Sequence, residues 1–106
     1  MTEDIVFTFY TYSDASVPVE ERWKPTGIPD TFFDSYEKAE HAVLQMRDDL
    51  TADPEMEWPV TNLEKVVTVP VDQASILALL NEGMSVFVKD YEIIQTIRPK
   101  GKNKTV

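Results

Sequence analysis

Residues 63–97, LEKVVTVPVDQASILALLNEGMSVFVKDYEIIQTI, read strand, helix, strand, strand, and this reading decides the fold. Residues 63–71 are rich in β-branched side chains and are interrupted by Pro70. The period of two places Val67, Val69 and Val71 on one face and Glu64, Val66 and Thr68 on the other. Asp72 follows as a helix N-cap, its short carboxylate able to accept from the first free backbone amides. Ser75 stands at the third helical position where Glu or Gln would complete a capping box. Ile76, Leu77 and Leu80 form an apolar stripe that Leu79 widens, and Gly83 sits where a helix of about ten residues ends. Residues 85–88 and 91–97 then read as two strands joined by Lys89-Asp90, a two-residue hairpin, with one longer or bulged strand as the alternative.

Working outward, residues 4–12, DIVFTFYTY, form a strand with Ile5, Phe7 and Phe9 on one face and Val6, Thr8, Tyr10 and Tyr12 on the other. The first set reads as core. The second is amphipathic rather than solvated, and Val66 lies likewise opposite the core side of its own strand. This predicts a second sheet face covered by a loop or by another subunit.

Residues 13–33 contain Pro18, Pro25, Pro29 and Gly27 and show no sustained periodicity. A structureless loop of this length is unusual in a compact domain. It either hides a short strand near residues 21–24 or forms an ordered flap anchored by Trp23, Phe32 and Phe33. Asp34 opens the main helix with a D-x-x-E capping box completed by Glu37. Tyr36, Ala39, Val43, Met46 and Leu50 recur at helical spacing, and the helix ends before Asp53-Pro54. Residues 51–62 connect it to the next strand, with Trp58 folded back on the body.

The chain is 106 residues with 42% hydrophobic content and no cysteine, which predicts one packed domain with neither a disulfide framework nor thiol chemistry. No apolar run approaches the ~20 residues of a membrane span, and a cytoplasmic location is the expectation. The net charge is −9, and its distribution is uneven. All 19 acidic residues precede Arg98, and four of the ten basic residues follow Ile97, so residues 1–97 carry −13 and the last nine +4. Such a field repels nucleic acid and steers basic proteins toward the body. A globular domain over 1–97 and a basic, mobile tail over 98–106 follow from this division.

No side-chain constellation carries catalytic chemistry. His41 is the sole histidine and falls on the solvated side of its helix, with no serine or aspartate placed by motif to complete a catalytic set. The run Asp48, Asp49, Asp53, Glu55 and Glu57 lacks the glycine and spacing of a calcium loop, so it reads as a solvated run or as an interaction patch. Three scattered glycines exclude a phosphate loop. No catalytic residue, metal ligand or cofactor is therefore assigned, and a non-enzymatic role is favoured.

The expected fold is α+β, a two-layer sandwich in the order β-α-β-α-β-β. Both helices lie on one face of a three- to five-stranded, largely antiparallel sheet. The expected function is a small acidic protein-interaction module whose partner is itself or a basic protein. One form is a homodimer through the face bearing Val6, Tyr10, Tyr12 and Val66. The first alternative is an acidic mimic of nucleic acid that blocks a basic DNA- or RNA-binding protein. The second is a small-molecule binder or enzyme with a pocket under the 17–33 loop.

Overall fold

A computed structural model describes residues 4–24, 30–53 and 58–99. These residues form an α+β fold with strands β1 (Thr8–Asp14), β2 (Thr61–Thr68) and β3 (Val88–Ile97) and helices α1 (Tyr36–Thr51) and α2 (Gln73–Glu82). The three strands make an antiparallel sheet in the order β1-β2-β3, with β2 central. Outside β1, Phe33 adds an isolated antiparallel bridge. The Tyr10 N–H donates to the Phe33 carbonyl at 2.9 Å, and the Phe33 N–H donates back at 2.7 Å. The extra pairing in the 13–33 region thus falls at Phe33, while Val19–Glu21 is a single 3-10 turn.

The observed order is β-α-β-α-β, one strand short of the expectation. No hairpin forms at Lys89-Asp90, because β3 runs unbroken along the length of β2 with two register shifts, between Leu63 and Glu64 and between Val67 and Thr68. A two-residue hairpin of the favoured kind needs positive φ, which glycine supplies at least cost, and neither Lys89 nor Asp90 is glycine. Among the described residues the sole positive φ is at Gly83, 90°. There the chain leaves α2, and a 3-10 turn over Met84–Val86 brings it into β3.

Both helix starts differ in detail from the sequence expectation. Ser35, not Asp34, caps α1, its hydroxyl accepting from the Lys38 N–H at 3.2 Å. The Asp34 carboxylate is instead 3.1 Å from the Lys38 ammonium. At α2 the capping box is complete after all. The Ser75 N–H donates to Asp72 Oδ1 at 2.8 Å, and the Asp72 N–H donates to Ser75 Oγ at 2.8 Å. A serine hydroxyl reaches back as a glutamate would.

Helix α1 covers one sheet face. Ala39 and Val43 are fully buried against Leu63, Ile97 and Trp58, with Tyr10, Tyr12, Phe33 and Tyr36 packed around them. The strand β1 is therefore inverted relative to the sequence reading: Tyr10 and Tyr12 face the helix, while Ile5 and Phe7 are exposed. Tyr12 donates its hydroxyl to Met46 Sδ at 3.8 Å, and Tyr36 donates its own to Glu40 at 2.9 Å. Tyrosine suits this helix-facing layer because its ring packs while its hydroxyl finds a partner. The opposite face of β2 is more deeply buried still, with Glu64, Val66 and Thr68 all at 0% exposure.

Candidate interaction surface

Two regions of the described residues call for more than a structural account, and Phe9 belongs to both. The first is the covered second face. Thr11 and Ile93 flank Glu64, and Phe9 and Tyr91 flank Val66, so these side chains share that face. The segment following β1 lies over it. Arg22 donates from Nε to both Glu64 oxygens at 3.1 and 3.0 Å and from Nη2 to Oε1 at 2.8 Å. The same guanidinium donates to both oxygens of Asp30 at 3.2 and 3.1 Å. Ser13 Oγ donates to Glu64 at 2.6 Å, and the Tyr91 hydroxyl donates to the same carboxylate.

A buried carboxylate is tolerated only when its charge and lone pairs are met, and here four donor groups meet them. Burial alone would lower the Arg22 pKa, but the hydrogen bonds and charges of Glu64 and Asp30 outweigh it and raise it. Burial, then the bond to the Glu64 carboxylate, holds the Tyr91 hydroxyl well above the usual tyrosine value. Trp23 completes the cover, with the Arg22 guanidinium 4.1 Å from its ring centre and the Tyr91 ring edge-on at 5.4 Å. The carboxylates, guanidinium and hydroxyls of this network are paired within the chain and fasten the segment after β1 to the sheet, while the buried Trp23 indole N–H has no acceptor among the described residues.

Beside the flap, a cleft of about 470 Å³ is lined by Tyr12, Val17, Arg22, Met46, Trp58 and neighbouring residues. The Trp58 side chain is buried, and its indole N–H has no acceptor among the described residues.

The second region is α2. None of its residues is buried; Leu77 is 57% and Leu80 69% exposed, with Ile76 also exposed. Its main tertiary contact is the 3-10 turn that follows it. The stripe that reads from sequence as a buried face is thus largely uncovered. Beside it an open groove of about 350 Å³ is lined wholly by apolar surface, from Phe7, Phe9, Phe32, Ile76, Leu79, Phe87, Val71 and Met84. Backbone bonds from Val71 N–H to the Ile5 carbonyl at 2.7 Å and from Val69 N–H to the Phe87 carbonyl at 2.9 Å hold its walls together. Isolated apolar side chains on a surface are ordinary; a helix face, a groove and Ile5, Val6 and Phe7 gathered at one end are not.

The residues singled out from sequence distribute as follows. Tyr10 and Tyr12 lie on the α1 side of the sheet and Val66 on the other, buried under the flap, with Val6 exposed near the groove; the four do not form one surface. Of the loop anchors, Phe33 packs against the α1 core, Trp23 covers the second face, and Phe32 joins the groove. Asp48, Asp49 and Asp53 are exposed at the C-terminal end of α1, whose last turn has no basic residue, while Glu55 and Glu57 lie outside the described residues. His41 is exposed. Most of the basic tail also lies outside the described residues, with Arg98 and Pro99 within them.

Among the described residues no group of three or more His, Asp or Glu side chains is arranged to hold a metal ion. No described helix is long and apolar enough to cross a membrane. No protein-family model matches the chain, and neither a curated protein nor a solved structure matches it.

Sequence reasoning missed Arg22, Asp30 and Glu64 as a set. The available signal was Glu64 itself, a carboxylate at an interior position of the most β-rich segment, which demands a cationic partner if it is buried. It also missed the exposure of α2, for which composition offers no signal.

Proposed function

We propose that this chain is a small, acidic, non-enzymatic protein-interaction module that binds a basic protein carrying an apolar anchor. The observation that carries the reading is the uncovered apolar face of α2 with the adjoining groove. Burying such surface against a partner is favourable by about 25 cal/mol per Å². The charge of −13 on residues 1–97 selects the sign of the partner and speeds its approach. The apolar anchor then sets how long the complex lasts.

The test compares the wild-type chain with a Leu77→Glu/Leu80→Glu variant as bait in the same lysate, washed at low and then high salt. A basic protein held by the wild type and lost from the variant supports the reading. Equal retention by both baits counts against it. Retention that survives the α2 variant but falls with Asp49→Asn would instead favour the nucleic-acid mimic, with the acidic end of α1 as its surface.

The cleft beside the flap supports a second reading as a small-molecule binder, since the Trp58 N–H, which has no acceptor among the described residues, suits a largely apolar ligand with one hydrogen-bond acceptor. Ligand-dependent quenching that disappears in Trp58→Phe would favour it over the interaction module.

A further inference from the structure

Resting on the reading of α2 and its groove as the docking surface, we propose that the partner presents an amphipathic α-helix. Basic residues stand about three turns apart on it, on either side of an apolar stripe. Three features of the surface select this occupant.

The groove lining offers no polar group. An extended segment entering it would leave backbone N–H and C=O groups without partners, whereas a helix satisfies its own. The exposed stripe also has helical dimensions. Helix α2 has ten residues, roughly 15 Å of length, and a facing helix of about three turns covers Ile76, Leu77 and Leu80 while one of its side chains enters the groove.

The charges discriminate between partners. Between Asp72 and Glu82 the helix has no other charged residue, so each of its ends carries one carboxylate. Neither is in an ion pair among the described residues. Glu82 stands in the last turn, where the helix dipole disfavours an anion. A second copy of this chain laid antiparallel on α2 would set Asp72 beside Glu82 of that copy, twice; laid parallel, it would set like residue on like. Both arrangements oppose carboxylates between bodies already strongly negative. A helix with Lys or Arg ten or so residues apart meets both ends at once.

The experiment titrates the full chain with a labelled synthetic peptide of about 16 residues, lysine at both ends and leucines at helical i, i+3, i+4 and i+7 positions between them. Anisotropy is read at about 50 and about 300 mM salt, and methyl and aromatic NMR shifts locate the peptide. The expected result is salt-weakened binding with shifts at Ile76, Leu79, Met84 and Phe87. Affinity should fall roughly tenfold or more in Leu77→Glu/Leu80→Glu. In Asp72→Asn/Glu82→Gln, where asparagine preserves the cap, affinity falls less and the salt dependence flattens. Far-UV circular dichroism checks that both variants keep their helices.

Tight binding of the same stripe ended in glutamates would overturn the assignment. So would a concentration-dependent dimer abolished by the α2 variant, which puts a second copy in the groove, or binding of phosphatidylcholine vesicles by α2 in place of the peptide. Shifts confined to the Asp48–Asp49 end of α1 would also overturn it. If the peptide fails but the α2-sensitive capture persists, the partner docks in another form; if both fail, the interaction reading itself falls.

Discussion

Arg22 and Glu64, 42 positions apart in the chain, form a two-pronged ion pair in which Arg22 Nη2 lies 2.8 Å from Glu64 Oε1 and Nε contacts both carboxylate oxygens. Glu64 is fully buried in the central strand, and Arg22 stands at the end of the 3-10 turn Val19–Glu21. The flap is therefore held to the sheet by a polar fastening. A buried pair of this kind is costly to break and weak as a net source of stability, since desolvation offsets much of the attraction.

Removing one member should reveal that asymmetry. Arg22→Ala is expected to lower unfolding free energy by about 3–5 kcal/mol, measured by urea denaturation, because it leaves Glu64 buried and uncompensated. Arg22→Met combined with Glu64→Leu should recover most of the loss. A double variant no more stable than Arg22→Ala would show that the pair is worth its charge.

Tyr91 makes the same network sensitive to alkali. Its pKa is raised in the folded state by burial and by the bond to the Glu64 carboxylate, so the neutral hydroxyl is the form that folding favours. The stability it contributes is fully present below pH 10, the ordinary tyrosine value, and declines as the pH rises above it. Thermal melts from about pH 8 to 11.5 should show this decline in the wild type and a shallower one in Tyr91→Phe. Parallel curves would remove Tyr91 from the account.

The two leucine environments should respond oppositely to truncation. Leu63, fully buried under α1, is expected to cost about 2–5 kcal/mol when changed to alanine. Leu77→Glu and Leu80→Glu, at exposed positions, should stay within about 0.5 kcal/mol of wild type and bind less of a hydrophobic dye. Strong destabilisation by either glutamate would mean that α2 is covered within the chain.

Capping of α2 is local and should be measured locally. With no buried residue to hold it, this helix depends on its Asp72–Ser75 box more than α1 depends on Ser35. Asp72→Ala is expected to cost about 1 kcal/mol and to speed amide exchange across residues 75–82 while leaving β2 protected. Uniform loss of protection would place α2 in the cooperative core instead.

How much of this was legible in advance depended on the distance over which each feature is decided. Helix α1 was readable because Ala39 and Val43 fall on a 3.6-residue period broad enough to survive any neighbour. The N-cap of α2 and its glycine stop were readable because they act within a few residues. The hairpin was not, since Lys89-Asp90 is turn-like locally while β2 offered an eight-residue edge that a continuous strand could pair.

The sequence by itself determined the α+β class, the two helices, the strands on either side of α1 and the acidic net charge, all of which follow from local spacing and summed charge. Only the tertiary structure decided which face of β1 met α1, that Glu64 would be buried and matched by Arg22, and that Ile76, Leu77 and Leu80 would stay uncovered. A period of two or of 3.6 shows that side chains share a face; it carries no information about what covers that face. That depends on contacts between residues tens of positions apart, such as Arg22 with Glu64.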